Sequence, residues 1–511
     1  MTDHFDDLDI ALENREAVRS LRLKKQTRDG LPEQIENFPN LKSLDVSRGS
    51  YAAFPGSHGT HPRVRSLLVS RSCISTVTEE LGDFSALREL DLSWNEFSQL
   101  PNSVEKLRKL QTLRIERTPL QRLPDEIGVL QQLESLELAG CELVELPDSI
   151  GDLRNLKFLD LTGSNLEKLP ESIGRLKSLR VLRLGGNHLR SLPQSIADLE
   201  SLVELDVSAN DLESLPPAIA REHCWSSLQR LSFANNEKLD VEEILQATEG
   251  IATLRTLDLS RHRLPADAKF PPGLREIRWR HGDSKCLPES LFGLVDLEVF
   301  DLAFGRLRIL DRRLSNLTKL RSLDLTAHAL ESLPTELGEL SELRTLSLGS
   351  NELRRLPDTI GGLTALRKLD LSFNPIQAVP AELSAARKLR VIDLENARIT
   401  RFDQIGEALR GCEQLERVKL VGNPITLDVE ACRKLRKSHR DCRWELKPGK
   451  ALHRIFHEAK RHLAMDQIDK ARKKLERVAR FEITDDNGEP EEFTTHRARS
   501  DARAILEQID S

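Results

Sequence analysis

Arginine and aromatic side chains gather in the middle of the sequence, between residues 230 and 304. This set consists of Arg230, Arg261, Arg278, Arg280, His281, Asp301 and Phe304. Arginine combined with aromatic rings is typical of the residues that dominate binding energy at protein–protein interfaces. Two further aromatic residues, Trp94 and Phe373, stand near acidic residues elsewhere in the chain. We predict that these nine residues contact a partner, with the arginines and His281 projecting from neighbouring strands and Phe304 beside them.

Catalytic motifs are absent from the sequence, which contains no glycine-rich phosphate loop, no HExxH and no GxSxG. Three histidines, His453, His457 and His462, lie in a basic helical stretch without acidic or cysteine companions, which favours a solvated helix face over a metal site. The seven cysteines are scattered without CxxC or metal-ligand spacing. They are Cys73, Cys141, Cys224, Cys286, Cys412, Cys432 and Cys442. We therefore predict a non-enzymatic protein with no cofactor and no metal.

A hydrophobic repeat, seen clearly at Leu87–Leu110, predicts the strands and helical turns that position these residues. Leu90 and Leu92 alternate with Asp91, as a short half-buried strand requires. Pro101 delays the start of a helical turn, which the three-residue spacing of Val104, Leu107 and Leu110 predicts on the far side. One unit cannot bury its own leucines, but stacked units can, and the product is a solenoid.

Eighteen such units begin at hydrophobic residues that are mostly 23 apart. They begin at residues 18, 41, 64, 87, 110, 133, 156, 179, 202, 228, 254, 274, 297, 320, 343, 366, 389 and 415. The spacing slips in the middle, where an insertion surrounds Ala220–Trp225 and the stretch VEEILQATEGIATL predicts a longer helix. The ninth residue of a unit is often Asn, whose side chain can bond to the backbone of a turn. In four consecutive units His262, Gly282, Gly305 and His328 replace it, so we expect weaker bonding there.

The segment Leu343–Leu363, LRTLSLGSNELRRLPDTIGGL, matches LxxLxLxxNxLxxLPxxIGxL. On this pattern, the chain resembles leucine-rich repeat proteins over about residues 18–446, and most closely the 23-residue class of bacterial cytoplasmic and Ras-group intracellular members. The resemblance implies a right-handed α/β horseshoe with a parallel concave sheet. It also implies that the segment ending in DCRWEL caps the array, with Cys442, Trp444 and Leu446 closing the core.

Acidic residues recur at the fifth position of the units, on the face that alternation assigns to the exposed side of the strands. They are Asp45, Asp91, Glu137, Asp160, Asp206, Asp258, Asp301, Asp324, Asp370 and Asp393. On a parallel sheet with strands about 4.8 Å apart they would form a column. A structural role is the main interpretation, since LDLS is common in the family, and contact with a basic partner surface is the alternative.

Four segments are predicted: an N-terminal cap over 1–17, the array over 18–426, a C-terminal cap over 427–447 and a basic helical extension over 448–511. Residues 432–481 hold 17 Lys and Arg against 6 Asp and Glu, although the whole chain carries −6. This extension lacks interleaved aromatic residues, so nucleic-acid binding is not favoured. The chain begins with acidic residues, has no apolar run long enough to span a membrane and carries scattered cysteines. These features predict a cytoplasmic protein.

The sequence therefore predicts a scaffold that binds a partner protein through the concave face. The partner surface would be basic opposite the aspartate column and acidic opposite the arginines. Two alternatives stay open by analogy with family members: a regulator of small GTPase or phosphatase signalling, and a bacterial effector of ubiquitin-ligase type. Fold alone does not choose between them, because function resides in the site that a fold carries.

Overall fold

The computed structural model describes residues 4–23, 27–28, 33–54, 63–220, 224–401, 403–427, 432, 434–435, 437, 442–446, 457–461, 468–479, 502 and 505–506. The chain forms two compact units. The first comprises Met1–His262 with Lys269–Leu274, and the second comprises Arg263–Ala268 with Arg275–Ser511. Each unit has its own stack of parallel strands, which confirms the predicted class, an α/β repeat solenoid.

In the first unit, the described residues form one parallel sheet of short strands in sequence order. The strands are His4–Phe5, Ser20–Arg22, Ser43–Asp45, Ser66–Leu68, Glu89–Asp91, Thr112–Arg114, Ser135–Glu137, Phe158–Asp160, Val181–Arg183, Glu204–Asp206, Arg230–Ser232 and Thr256–Asp258. Two small parallel pairs flank it: Thr27–Arg28 with Ser50–Tyr51, and Ala53–Phe54 with Thr76–Val77. The middle residue of each three-residue strand in the sheet is a buried leucine.

Short 3-10 helices on the other side of the repeats return the chain to the next strand. In the first unit they are Glu33–Asn37, Glu79–Asp83, Asn102–Lys106, Asp125–Val129, Asp148–Asp152, Glu171–Arg175, Gln194–Asp198 and Pro217–Ala220. The α-helices are Leu8–Glu13 and Val241–Thr248, and the second occupies the stretch predicted as a longer helix. Trp225 in the predicted insertion is buried, and its indole N–H donates to Ile196 O at 3.0 Å.

The second unit repeats this arrangement. Its sheet strands are Glu276–Arg278, Val299–Asp301, Ser322–Asp324, Thr345–Ser347, Lys368–Asp370, Val391–Asp393, Arg417–Lys419 and Arg443–Glu445. Its 3-10 helices are Glu289–Gly293, Arg312–Asn316, Thr335–Glu339, Asp358–Gly362, Ala381–Ala385 and Pro424–Leu427. Its described α-helices include Asp403–Leu409 and Ile468–Ala479. A strand begins two residues after each of the eighteen repeat starts in the two units.

The predicted bonding of the ninth-residue asparagines to the backbone is confirmed, and we call this set of bonds the asparagine ladder. Asn95 Nδ2 donates to Val69 O at 2.9 Å and to Leu92 O at 2.8 Å, and its Oδ1 accepts the N–H of Ser72 at 2.9 Å and of Ile74 at 3.1 Å. Buried asparagines at the same repeat position donate in the same way, namely Asn187, Asn210, Asn236, Asn351, Asn374 and Asn423. Each asparagine therefore ties two neighbouring repeats together through backbone groups that would otherwise lack partners.

Glycines on the helical side allow the repeats to approach closely. A Cβ added at Gly128 would lie 2.7 Å from Ser149 O and 2.8 Å from Ser149 Cβ in the next 3-10 helix. Gly82 and Gly174 meet the next repeat in the same way. At these repeats, the glycine therefore lets two neighbouring 3-10 helices lie in close contact.

At the C-terminal end of the array, Arg443–Glu445 pairs with Arg417–Lys419. Cys442 is buried, whereas Trp444 and Leu446 are half-buried, so the three residues expected to close the core do so unequally. In the helix Ile468–Ala479, Leu475 is fully buried. Most of the predicted third helix, around Ala498–Ile509, lies outside the described residues. No helix among those residues combines the length and apolar character needed to cross a membrane.

Candidate functional site

The structure moves several predicted site residues from the strands into the turn that follows each strand. Only Arg230 and Arg278 lie within strands, and Asp301 ends one. Arg261, His281, Phe304, Trp94 and Phe373 all occupy the eighth position of their repeats, where φ lies between 55° and 67°. The prediction that Arg261 and His281 project from strands is therefore wrong. We call this eighth position the turn residue.

The turn residue lies beyond the end of the strand, but its backbone N–H still bonds to the next repeat as the strand residues do. The N–H of Phe304 donates to Thr326 O at 2.7 Å, and that of Phe373 donates to Glu395 O at 2.7 Å. To make this bond and turn away from the sheet, the residue adopts a left-handed backbone, which favours glycine and asparagine. Its side chain is exposed at the edge of the sheet, and 50% of Phe304 and 53% of Phe373 are accessible.

In the second unit, the structure brings five predicted residues into one cluster, which we call the Phe304 cluster: Arg278, Arg280, His281, Asp301 and Phe304. The rings of His281 and Phe304 stack with centroids 4.7 Å apart and planes within 7° of parallel. Arg280 Nε donates to Asp301 Oδ2 at 2.7 Å, and Arg278 pairs with Glu276 at 2.6 Å. Each guanidinium group and the exposed aromatic ring thus has a defined partner within the cluster.

The remaining predicted residues lie apart from that cluster. In the first unit, Arg230 donates to Glu204 at 2.7 Å, and Arg183 contacts the same carboxylate at 2.9 Å. Burial acts to raise the pKa of Glu204, but these two arginines together hold that pKa below its usual value. Arg261 is an exposed turn residue of the same unit. The set predicted between residues 230 and 304 is thus divided between the two units, and Phe373 lies three repeats beyond Phe304.

The aspartate column has a structural role. One oxygen of each aspartate accepts the N–H of the residue two positions later, as in the 2.9 Å bond from Ser93 N to Asp91 Oδ1. The same bond is made by Asp45, Asp160, Asp206, Asp258, Asp301, Asp324, Asp370 and Asp393. The carboxylate therefore stabilises the turn after the strand, which supports the main interpretation of the sequence pattern.

Two acidic residues next to the column have raised pKa values. Burial, followed by repulsion from Glu137, Asp160 and Asp91, raises the pKa of Glu116. Burial and the neighbouring Asp393 likewise raise the pKa of Glu395. Both shifts follow from placing carboxylates in adjacent rows of a half-buried surface.

Two histidines replace part of the ladder where asparagine is missing, with fewer side-chain bonds than an asparagine makes. His262 Nε2 lies 3.0 Å from Phe233 O. His328 Nε2 lies 2.8 Å from Leu302 O, and His328 Nδ1 accepts the N–H of Leu307 at 3.1 Å. The His328 ring reaches across the space left by Gly305, where an added Cβ would clash with it. These bonds require the neutral imidazole with its proton on Nε2.

Acidification should therefore weaken the protein through His328. Burial lowers the pKa of His328 from its ordinary value of 6.5, so below that pH the unfolded chain binds a proton that the folded protein excludes. We expect the melting temperature to fall as the pH is lowered from 7.5 through 6.5 towards the folded-state pKa. In His328→Asn, the fall should be smaller because asparagine makes the ladder bonds without titrating.

Thermal unfolding between pH 7.5 and 5.5 measures this difference. The matched control is His188→Asn, because His188 is exposed and its ring lies 3.7 Å from Asp211. Equal pH dependence in the parent protein and in His328→Asn would contradict the assignment.

The cysteines and histidines considered for chemistry are placed unfavourably for it. Cys141 Sγ lies 2.9 Å from Ile115 O in the ladder, and burial raises the pKa of its thiol. Burial raises the pKa of Cys442 to about 11. His457 is exposed, whereas His453 and His462 lie outside the described residues. Within the part of the chain that the structure describes, no group of three or more His, Cys, Asp or Glu is arranged to hold a metal ion.

Two family profiles match the chain. The profile described as "Leucine-rich repeat region" matches residues 63–159 and 148–308, and the profile described as "Leucine rich repeat" matches residues 318–376. No curated protein matches at a significant level.

Solved structures with a similar fold come from bacteria and plants. A leucine-rich repeat protein of Leptospira interrogans is 26% identical, with 87% of this chain and 100% of that chain covered and a TM-score of 0.58. The plant peptide hormone receptor RGFR1 in complex with RGF2 is 26% identical, with 80% of this chain and 67% of that chain covered and a TM-score of 0.53. YopM from Yersinia enterocolitica is 24% identical, with 81% and 85% covered and a TM-score of 0.53, a likeness of fold.

Proposed function

Because this chain belongs to the leucine-rich repeat proteins, we propose that it is a non-enzymatic scaffold in the cytoplasm that binds a partner protein, and that the Phe304 cluster contacts that partner. The observation that carries the proposal is the exposed Phe304 ring, stacked on His281 beside the paired Arg280. Aromatic and arginine side chains are the residue types that dominate binding energy at protein interfaces.

Rigidity supports the same proposal. Arg280 is held by Asp301, whose other oxygen accepts the N–H of Ala303 at 3.3 Å in the turn. Phe304 is fixed by its ring partner and by its backbone bond to the next repeat. Side chains ordered before association lose less conformational entropy when a partner binds. The similar plant receptor was solved in complex with RGF2, which supports recognition of a polypeptide by a scaffold of this kind.

No observation favours a second function. For an effector of ubiquitin-ligase type, the thiol of Cys442 is buried and its pKa is raised to about 11, which opposes formation of a nucleophilic thiolate. Regulation of a small GTPase or of a phosphatase would be one form of partner binding, and no described residue selects it.

The proposal is tested by capturing partners with the full chain from extracts of its source cells. We expect Phe304→Ala, and the charge reversals Arg278→Glu and Arg280→Glu, to lower partner recovery by about tenfold or more, because hot-spot truncation and like-charge contacts each weaken an interface at this level.

The matched control is Arg355→Glu, which makes the same charge change at an exposed arginine of the second unit outside the Phe304 cluster. Circular dichroism and melting temperature establish that each variant is folded. Full recovery with all three cluster variants would refute the proposed contact.

A further inference from the structure

Four consecutive repeats of the first unit carry large side chains at the turn residue. These are Arg48, Arg71, Trp94 and Arg117, with φ of 63°, 57°, 60° and 51°. The following three repeats carry Gly140, Gly163 and Gly186 at the same position. A left-handed backbone disfavours residues with a Cβ, and glycine satisfies the same turn in the neighbouring repeats. The turn therefore does not explain the choice of arginine and tryptophan.

The four residues follow one another along the sheet edge, and we call them the Trp94 row. Arg71 Cζ lies 4.4 Å and Arg117 Cζ lies 4.7 Å from the centroid of the Trp94 ring. The strands Ser66–Leu68, Glu89–Asp91 and Thr112–Arg114 are consecutive in the sheet, so the two guanidinium groups come from the repeats on either side of the ring. These cation–π contacts hold both cations in place while 42% of Trp94 remains exposed.

The charges of the Trp94 row are available to a ligand. Within the described residues, Arg48, Arg71 and Arg117 form no ion pair, whereas the nearby strand residues Arg22 and Arg114 do. The residues that precede the first three members of the row are the neutral Ser47, Ser70 and Ser93. The exception is Glu116, which precedes Arg117 and whose raised pKa reflects burial.

Two carboxylates below the row take part in other contacts. Asp45 and Asp91 each use one oxygen to cap their own turn. Asp45 also pairs with Arg22 at 2.8 Å. Three guanidinium groups are thus presented at one edge of the sheet, in neighbouring or next-but-one repeats, and none of them forms an ion pair with a described residue.

We propose that the Trp94 row is a docking surface for an acidic polypeptide segment of a partner protein. Aspartate and glutamate carboxylates pair with Arg48, Arg71 and Arg117, and an apolar side chain of the segment packs on the exposed edge of Trp94. A nucleic acid fits less well, because guanidinium groups lie over the indole ring where a base would have to stack. This inference rests on the proposed function in that both concern protein recognition, but it names a different unit, different residues and the chemistry of the ligand.

The test uses the full chain and an array of synthetic 12-residue peptides in which four glutamates are placed at varied spacings around one leucine. Matched peptides carry lysine in place of glutamate, phosphoserine peptides test for a phosphorylated ligand, and a 12-nucleotide single-stranded RNA tests for nucleic acid. Fluorescence anisotropy reports the affinity of each probe. We expect saturable binding of acidic peptides that weakens with added salt and is at least about tenfold weaker in Arg71→Glu and Arg117→Glu.

Two further variants separate binding from folding. Arg108→Glu makes the same charge change at an exposed arginine beside the 3-10 helix Asn102–Lys106 and should leave affinity unchanged. Arg71→Gly introduces the residue that the turn prefers, so it should weaken peptide binding without lowering the melting temperature.

The inference is overturned if no acidic peptide binds, if Arg108→Glu reduces affinity as much as Arg71→Glu, or if RNA or phosphoserine peptides bind more tightly and lose affinity in the same variants. Any of these results, combined with partner capture that still depends on Arg280 and Phe304, would remove the Trp94 row and leave the proposed function in place. If partner capture did not depend on Arg280 and Phe304 while acidic peptides still bound, the proposed function would fail and the Trp94 row would remain.

Discussion

Replacing Asn210 with alanine is expected to lower the free energy of unfolding by at least about 3 kcal/mol, because it removes several buried hydrogen bonds at once. Asn210 Nδ2 donates to Leu184 O at 2.9 Å, to Val207 O at 3.0 Å and to Ser208 O at 3.1 Å. Its Oδ1 accepts the N–H of Leu189 at 3.0 Å. Alanine makes none of these bonds and strands backbone groups in a region that water does not reach.

Urea unfolding of the purified chain measures this loss, and the matched control is Asn155→Ala. Asn155 is exposed and makes one side-chain bond, from Nδ2 to Gln131 O at 2.7 Å, so its loss should change the free energy of unfolding by about 0.5 kcal/mol or less. Comparable losses in the two variants would mean that the ladder does not bind the repeats together.

The second large effect is expected at Gly128, where alanine should cost about 2 kcal/mol because it overpacks the contact between two 3-10 helices. An added Cβ would meet the carbonyl oxygen and Cβ of Ser149 at 2.7 and 2.8 Å, and the carbonyl belongs to the backbone of the next repeat. The φ of Gly128 is outside the left-handed region, so the cost is steric and not conformational.

Gly293→Ala is the natural control, since Gly293 also lies in the last turn of a 3-10 helix and an added Cβ there meets nothing within 4 Å. Alanine at such a site should leave stability unchanged or raise it slightly, because it restricts the unfolded chain. Melting temperatures of the two variants make the comparison. A Gly128→Ala protein as stable as Gly293→Ala would show that the repeats are not in the close contact described.

The repeat architecture was predictable because the same pattern of buried residues recurs from repeat to repeat. Leu110, Leu113 and Ile115 are all fully buried, and the same positions are buried in neighbouring repeats. Asn95 was likewise predicted to bond to backbone from its position in the repeat. Periodic burial of this kind averages out local irregularities, so one atypical repeat does not obscure the pattern.

The site was less predictable because its geometry depends on the turn and not on the strand. The sequence pattern placed Arg261 and His281 on strands, but the chain has already left the strand at the eighth residue and adopts a left-handed backbone. Comparing that position between repeats would have revealed the signal, since Gly140, Gly163 and Gly186 stand where Arg71, Trp94 and Arg117 stand in other repeats.

Two other features lay beyond sequence reasoning. A histidine at an asparagine position predicted weaker bonding, and the sequence did not show that the two ring nitrogens of His328 reproduce one donor and one acceptor of asparagine. The division of the chain into two units falls within the irregular middle repeats, between His262 and Arg275, and separates residues that the sequence grouped into one patch.

Site-specific photo-crosslinking tests most directly whether prearranged side chains beside the sheet recognise a protein. A photoreactive phenylalanine at Phe304 in the full chain is compared with the same group at Glu339, an exposed residue at the end of the 3-10 helix Thr335–Glu339. The account predicts that a partner protein is crosslinked from position 304 and not from position 339, and that Arg280→Glu suppresses the product. Crosslinking from position 339 alone, or products that do not respond to Arg280→Glu, would contradict it.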